Sequence, residues 1–167
     1  MYTLTKLSRE MNKTTALSSM KFLPGLKIIN HQQYVDDRGS FCEAWKSLDD
    51  GMRGTFRQLN CATSSRSVLR GMHRQNQTKL VMPVSGVIFD VALDPTTGDW
   101  FGITLDENTG LLIPPQYAHG YLVLTDTAKV QYIVDAPYNK PEEEGFKWNQ
   151  YGIGWPITNP ILSDKDR

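Results

Sequence analysis

Three histidines, His31, His73 and His119, are the side chains of this chain best suited to carry a proton or bind a metal near neutral pH. None of them stands in an HxH, HxxxH or HExxH spacing. A catalytic metal usually draws on clustered histidine and carboxylate ligands, so the spacing disfavours a metal site. His31 lies in a polar stretch near the start of the chain and is expected to be solvated.

His73 and His119 stand in denser sequence contexts. His73 follows a predicted strand and leads into a polar loop, which by itself is more typical of a hydrogen-bonded structural histidine than of a base. Simple strand alternation places Arg70 and His73 on opposite faces, and only a bulge, which Gly71 permits, would turn both toward one cavity. His119 follows a turn fixed by two prolines, where a binding role and a structural role are equally open.

The segments that must position these histidines have the pattern of short strands. From Met20 onward, apolar runs are separated by Gly, Pro, Asn and Asp, and helical periodicity is nearly absent. The clearest strand, 87–94, is apolar on both faces and is expected between two layers, one face toward the core and the other toward a cavity or a subunit interface. Its Asp90 then needs a partner. Other strands are predicted at 26–29, 40–45, 55–62, 67–71, 80–84 and 110–113, with a strand pair at 120–125 and 129–135 across the turn 125–127.

These strands predict an all-β protein of the cupin-type jelly roll, with two facing antiparallel sheets and little helix. Its open end can hold a ligand, which would contact side chains from several strands. Residues 1–19 lack periodicity and are predicted to form an arm that is mobile or packed on a partner subunit. Residues 20–167 are predicted to form a single domain.

The composition points to a small-molecule partner. The 167 residues are 40% hydrophobic and carry 18 basic and 18 acidic side chains, which argues against nucleic acid or an anionic membrane as the main partner. No membrane-length apolar stretch or secretory core is visible, so a cytoplasmic location is expected. Cys42 and Cys61 are too few for a disulfide framework and are predicted to be buried small hydrophobic residues.

A series of longer motifs runs in order from about Met20 to Asp166. It comprises Asp37-Arg38-Gly39, Phe56-Arg57-Gln58-Leu59-Asn60, Val68 to His73, Lys79-Leu80-Val81, Phe89-Asp90-Val91-Ala92, Ala118-His119-Gly120-Tyr121, Tyr132, Trp148-Asn149, Gly152 to Pro156 and Lys165-Asp166. On these motifs the chain resembles the dTDP-4-dehydrorhamnose 3,5-epimerases, a family of cupin-type homodimers. The resemblance implies an epimerase without cofactor or metal that acts on a nucleotide-linked 4-keto-6-deoxyhexose.

The resemblance also implies roles for particular side chains. His73 matches the general base of the family, Asp166 the carboxylate that orients it, Tyr132 the general acid and Lys79 the positive group near the ketone. The roles are physically compatible, because a carboxylate on one imidazole nitrogen leaves the other free to take a proton, and an ammonium stabilises an enolate. From the residues alone, Tyr132 reads as a core tyrosine and Lys79 as a surface lysine.

Substrate binding is implied for a second set of positions. The set consists of Arg38, Glu43, Gln58, Asn60, Arg70, His119, Tyr138, Glu144 and Lys165, of which Tyr138 matches an aromatic residue that packs on the base. The family commonly has two adjacent tyrosines where this chain has Pro137-Tyr138, so the nucleotide (dTDP, CDP or GDP) stays open. Whether C3, C5 or both are inverted stays open too. The alternatives are a non-catalytic binder of sugar nucleotides and a metal-dependent cupin enzyme.

Overall fold

The structure is a computed structural model that describes residues 20–45 and 57–167. The predicted arm, residues 1–19, lies outside the described residues, as do the first two residues of the strand predicted at 55–62. Within the described ranges no helix is long and apolar enough to cross a membrane.

Two five-stranded antiparallel sheets form the framework of the described chain. The first has the order β1 (Lys27–Asn30), β9 (Thr109–Ile113), β6 (Lys79–Ser85), β11 (Thr127–Val134) and β4 (Gln58–Ser65). The second has the order β12 (Glu144–Gly145), β5 (Leu69–Arg74), β10 (Ala118–Val123), β7 (Ile88–Leu93) and β8 (Trp100–Leu105). The strands β2 (Gln33–Asp36) and β3 (Gly39–Cys42) form a separate hairpin, and a 3-10 turn at Lys140–Glu142 is the only helical element among the described residues.

Apolar side chains from the inward faces of both sheets fill the space between them. Val81, Leu111 and Val130 of the first sheet belong to one cluster with Ile88 and Val123 of the second, and each is at most 1% exposed. Burial of an aliphatic side chain contributes about 1.5–3 kcal/mol. This layer therefore holds the sheets together.

The strand β7 is buried on both faces, as its sequence predicted. Ile88 and Ala92 belong to the cluster between the sheets, whereas Phe89, Val91 and Leu93 belong to a cluster on the outer face. The chain after β12 covers that outer face with partly buried side chains from Phe146 to Leu162. The second face of β7 is therefore closed by the chain's own C-terminal segment and not by a cavity or a subunit interface.

The predicted strand pair 120–125 and 129–135 is wrong as a pair. Both strands exist, but β10 pairs with β5 and β7, and β11 pairs with β4 and β6. Because both edges of β10 are already occupied, the chain leaves one sheet at Val123 and enters the other at Thr127. The sequence prediction also missed β2, β8 and β12, and it misplaced the cysteines, since Cys61 is exposed on the edge strand β4 and Cys42 is only partly buried.

A bulge at Gly71 interrupts the pairing of β5 with β10. His119 pairs with His73 and Tyr121 pairs with Arg70, so two steps along β10 correspond to three along β5. The φ angle of Gly71 is 126°, a value that residues with a side chain rarely adopt. The extra residue lets Arg70 and His73 line the same cavity, as the sequence analysis required.

Replacing Gly71 should therefore damage the fold more than replacing another glycine of similar φ. A Cβ atom at Gly71 would lie 2.5 Å from Gly120 Cα and 2.8 Å from the His119 carbonyl oxygen. We expect Gly71→Ala to lower the free energy of unfolding by about 3 kcal/mol or more in denaturant titrations, because backbone strain and overlap add. Gly39 has a φ of 124° and nothing within 4 Å of its Cβ position among the described residues. Gly39→Ala should show only the loss due to backbone strain. An equal loss of unfolding free energy in the two variants would contradict a tight contact between Gly71 and β10.

Candidate active site

A polar cavity of about 340 Å³ opens at one end of the space between the sheets. Its wall takes residues from both sheets and from two loops: Gln58, Asn60, Lys79 and Tyr132 from the first sheet, Arg70, His73, His119 and Tyr121 from the second, and Gln75, Gln77, Tyr138 and Glu143 from loops. Most of the residues predicted for the site are thus brought together from positions far apart in the chain.

His73 is held by a carboxylate near the end of the chain. Its Nε2 lies 2.7 Å from Asp166 Oδ1, and Ser163 Oγ donates to Asp166 Oδ2 at 2.9 Å. Asp166 is buried, and its side chain can only accept when ionised. The carboxylate therefore selects the tautomer in which Nε2 carries the proton, which leaves Nδ1 unprotonated.

The free nitrogen of His73 is available at neutral pH. Burial is the main influence on the pKa of His73 and lowers it below 6.5, against the opposing effect of the Asp166 carboxylate. Nδ1 lies 3.9 Å from Glu143 Oε1, beyond hydrogen-bond distance. The side chain is 25% exposed and lines the cavity. A neutral imidazole with one fixed and one open nitrogen can accept a proton from a ligand.

Glu143 is the acidic residue that the structure places in the cavity, in a position the sequence analysis gave to Glu144. Tyr138 donates its hydroxyl to Glu143 Oε2 at 3.2 Å, and Lys165 pairs with the same oxygen. Partial burial raises the pKa of Glu143, but hydrogen bonds and charges from Lys165 and His73 outweigh it and lower the pKa overall. This carboxylate ties together both predicted binding residues, Tyr138 and Lys165.

Glu144 instead pairs with Arg74 on the neighbouring strand. Both Arg74 Nη2 and Nε donate to its carboxylate, at 2.8 to 3.2 Å, and Glu144 is exposed. It does not line the cavity that holds His73. Three consecutive glutamates occupy 142–144, and only the chain path from the 3-10 turn into β12 distinguishes them. The sequence offered no signal for choosing Glu143.

Lys79 is a buried cation on the cavity wall. It is 8% exposed, and among the described residues its Nζ donates only a long contact of 3.5 Å to the His73 carbonyl oxygen. Burial lowers the pKa of Lys79 to about 8, although the charges of Glu143 and Asp90 act in the opposite direction. An ammonium this poorly hydrated is well suited to stabilise a negative oxygen that enters the cavity.

Tyr132 enters the cavity from the sheet opposite His73. It is partly buried, and burial raises its pKa while the nearby Arg70 guanidinium lowers it. The phenol is therefore protonated at neutral pH and can donate a proton. Arg70 itself is held by a hydrogen bond from its Nε to Ser64 Oγ at 2.9 Å.

A second group of polar residues lies around Tyr138. Gln58 Oε1 accepts from the Tyr138 backbone N–H at 2.8 Å, and Gln58 Nε2 donates to Asn60 Oδ1 at 2.6 Å. Tyr138 remains 50% exposed, so one face of its ring is open. An exposed ring beside fixed amides can stack on a planar ligand.

His119 is paired with Asp90, the partner that this aspartate was predicted to need. Nε2 of His119 lies 2.7 Å from Asp90 Oδ1, and both residues are buried. Asp90 Oδ2 has no hydrogen-bond partner among the described residues. The pair lies on adjacent strands of the second sheet, and His119 forms part of the cavity wall.

Two further predicted binding residues lie outside this cavity. Arg38 pairs with Asp36 at the exposed tip of the β2–β3 hairpin. Glu43 lines a separate cavity, where His31 also lies. The prediction of a solvated His31 is wrong, because the side chain is partly buried, burial lowers its pKa, and Nε2 has no hydrogen-bond partner among the described residues. Within the same ranges no group of three or more metal-binding side chains was found.

Comparison with known proteins identifies the family. A sequence profile described as dTDP-4-dehydrorhamnose 3,5-epimerase matches residues 21–167. The chain belongs to this family. The epimerase family consists of isomerases with a cupin-type fold, and the all-β fold described above is of that type.

Individual epimerases show how far the likeness extends. The dTDP-4-dehydrorhamnose 3,5-epimerase of Neisseria gonorrhoeae is 42% identical over 160 residues, which cover 86% of this chain and 49% of that protein, so the chain spans about half its length. The enzyme of Shigella flexneri is 38% identical, with 86% of this chain and 89% of that protein covered. The crystal structure of dTDP-6-deoxy-D-glucose-3,5-epimerase from Legionella pneumophila in complex with dTDP-4-keto-L-rhamnose has a TM-score of 0.81 at 34% identity, and 87% of each chain is covered.

The buried position of Lys79 makes a direct prediction for its titration. We expect reductive 13C-methylation followed by NMR to show one lysine resonance with a midpoint near pH 8, because burial disfavours the ammonium. The charge is present below that pH and is lost as the pH rises through it. The resonance should be missing from Lys79→Arg, which serves as the assignment control. A midpoint above about 10, the range of solvated lysines, would contradict the buried position.

Proposed function

We propose that this chain is a dTDP-4-dehydrorhamnose 3,5-epimerase, which inverts carbons next to the ketone of a dTDP-linked 4-keto-6-deoxyhexose. The observation that carries the proposal is the shared cavity in which the His73–Asp166 pair and Tyr132 enter from opposite sheets. A base and an acid on opposite walls are the arrangement that inversion at carbon requires. The relatives bearing that name, and the bound keto-sugar of the Legionella structure, support the substrate class.

The first step is removal of a proton from C3 or C5. Nδ1 of His73 accepts this proton, and the carbon–hydrogen electron pair delocalises onto the C4 oxygen as an enolate. Asp166 keeps Nε2 protonated and stabilises the imidazolium that forms. Because burial lowers the pKa of His73, the imidazole is neutral and ready to act at pH 7.

The enolate oxygen needs a positive group in a site of low polarity. Lys79 is a buried ammonium on the cavity wall, and its one long hydrogen bond within the described part of the chain leaves donor capacity for a ligand oxygen. Charge stabilisation of this type commonly contributes the largest share of a rate enhancement.

The second step returns a proton to the opposite face of the same carbon. Tyr132 supplies it, so the carbon is inverted, the ketone re-forms, His73 is left protonated and Tyr132 is left as a phenolate. Arg70 is close enough to lower the pKa of Tyr132 and would stabilise that phenolate. Exchange of protons with water restores both groups.

The nucleotide is bound outside the chemical centre. Tyr138 presents an open ring for the base, and Arg70 has guanidinium donors beyond the one used by Ser64 for the diphosphate. Thymine is the base in the names of the relatives. The alternative substrates are CDP- or GDP-linked sugars, and the alternative reaction is inversion at only one carbon. Pro137 beside Tyr138 is the sequence difference that bears on the base.

The predicted homodimer is part of the proposal. Three aromatic or aliphatic residues of the β2–β3 hairpin, Tyr34, Val35 and Phe41, are 55%, 77% and 64% exposed, a concentration of apolar surface that a second copy would cover. Arg38 at the tip of the same hairpin, like Glu43 after it, contacts substrate only if one copy brings this region to the cavity of the other.

Deuterium incorporation in heavy water tests the reaction. We expect the protein to exchange C3 and C5 hydrogens of dTDP-linked 4-keto-6-deoxyhexose, followed by NMR, and to prefer it over the CDP and GDP analogues. His73→Ala should abolish exchange at both carbons. Asp166→Asn should reduce it about 100-fold or more, because the tautomer is no longer fixed. Binding without any exchange in the wild-type protein would identify a non-catalytic binder, and full activity of His73→Ala would refute the assigned base.

Replacing the acid should separate exchange from inversion. Tyr132→Phe removes only a hydroxyl from a partly buried ring, so the fold should be retained. We expect His73 still to exchange protons at one face while the inverted sugar forms at least about 100-fold more slowly, the usual scale of general acid catalysis. The measurement is the ratio of deuterated substrate to inverted product over time. An unchanged ratio would contradict proton delivery by Tyr132.

A further inference from the structure

Tyr121 carries a hydroxyl that the mechanism above does not use. The residue lines the cavity and is 2% exposed. Its phenolic oxygen is buried and has no hydrogen-bond partner among the described residues. Buried hydroxyls are nearly always paired, so an unpaired one on a cavity wall needs an explanation.

The polar neighbours of Tyr121 form no hydrogen bond of ordinary geometry with its hydroxyl among the described residues. In the sheet Tyr121 pairs with Arg70 on one side and with Asp90 on the other. The Ser64 hydroxyl is near enough to lower the pKa of Tyr121, but its Oγ accepts from Arg70 Nε. Asp90 Oδ1 is paired with His119, whereas Asp90 Oδ2 has no partner among the described residues. The rings of His119 and Tyr121 lie 6.2 Å apart on the same face of β10. The hydroxyl therefore belongs to the cavity wall beside residues that the reaction is proposed to use.

The phenol stays protonated throughout the physiological range. Burial is the main cause that raises the pKa of Tyr121 to about 12, with Tyr132 and Asp90 acting in the same direction and Arg70 and Ser64 against it. A protonated hydroxyl with no acceptor is an unused donor. A ligand that enters the cavity with an oxygen atom of its own can supply the acceptor.

We propose that Tyr121 is a specificity-determining residue whose hydroxyl donates a hydrogen bond to an oxygen of the bound hexose. The inference rests on the proposed function, since it takes the sugar and not the nucleotide as the group that fills this part of the cavity. Sites that pair a polar group with a substrate oxygen discriminate strongly against ligands that lack it.

An unpaired hydroxyl also affects stability. Without ligand it is a buried polar group with no hydrogen-bond partner among the described residues, so its removal should not destabilise the fold. With ligand, the same removal leaves the sugar oxygen unpaired. The two effects have opposite signs, and together they distinguish a ligand-binding hydroxyl from a structural one.

The test is Tyr121→Phe in the full chain, with Tyr117→Phe as the matched control. Tyr117 is equally buried at 4% exposure, lies outside the cavity, and donates its hydroxyl to the Pro24 carbonyl oxygen at 2.9 Å. Calorimetric Kd values are measured for dTDP and for the dTDP-linked 4-keto-6-deoxyhexose, and Tm is measured without ligand. For Tyr121→Phe we expect about 10-fold weaker binding of the hexose conjugate, unchanged binding of dTDP, and an equal or higher Tm. Tyr117→Phe should lower Tm and leave both Kd values unchanged.

The outcomes separate this inference from the proposed function. If wild-type protein exchanges deuterium and Tyr121→Phe binds the hexose conjugate as tightly as wild type, Tyr121 is not a sugar ligand while the epimerase assignment stands. If Tyr121→Phe weakens dTDP and its hexose conjugate equally, or lowers Tm as Tyr117→Phe does, its role is structural. If wild-type protein neither exchanges nor binds the conjugate, the proposed function fails first, and this inference fails with it.

Discussion

The hydrogen bond between Asp166 and His73 joins the C-terminal segment to the polar cavity. The two residues are 93 positions apart, so the bond forms only when the C-terminal segment has packed across the outer face of the second sheet. That packing is apolar, through Phe89, Val91 and Leu93 of β7 and the residues that cover them. The tautomer of the His73 imidazole thus depends on a hydrophobic layer that contains none of the residues proposed to act in the reaction.

The space between the sheets contains both an apolar core and a group of buried ionisable side chains. Between the sheets, aliphatic side chains are almost fully buried, while at one end of the same space a lysine, two histidines and two aspartates are buried or partly buried as well. Ionisable groups lose hydration there, and this loss is offset in two different ways. His73 and His119 each have a carboxylate partner, and Lys79 responds to burial by a lower pKa. The groups with the least compensation, Lys79 and the Tyr121 hydroxyl, are those for which a ligand would supply the missing interactions.

The sequence predicted the positions of strands well and the pairing between strands poorly. Alternation located nine strands and the double burial of 87–94, because the side-chain period of a strand is visible in a single segment. Strand pairing was not visible in this way. β10 and β11 are consecutive in the chain but lie in opposite sheets, because β5 and β7 already occupy both edges of β10. The motifs of the family brought His73, Tyr132, Lys79 and Asp166 into one hypothesis, and the cavity contains or adjoins them. The sequence analysis chose Glu144 and missed Glu143. The two glutamates are neighbours at the start of β12, and no motif of the sequence tells which of them faces the cavity.

The close approach of β5 and β10 limits how this cavity can change. A Cβ atom at Gly71 would meet the backbone of Gly120, and one at Gly120 would meet Met72 Sδ at 2.6 Å and the Arg70 carbonyl oxygen at 2.9 Å. Each glycine occupies the room that a side chain on the other would need, so neither position can gain bulk by a compensating change at its counterpart. The two loops that contribute Gln75 and Tyr138 to the cavity wall are not subject to this contact between glycines. A change in the shape of the cavity is therefore expected to come from these loops rather than from the wall formed by β5 and β10.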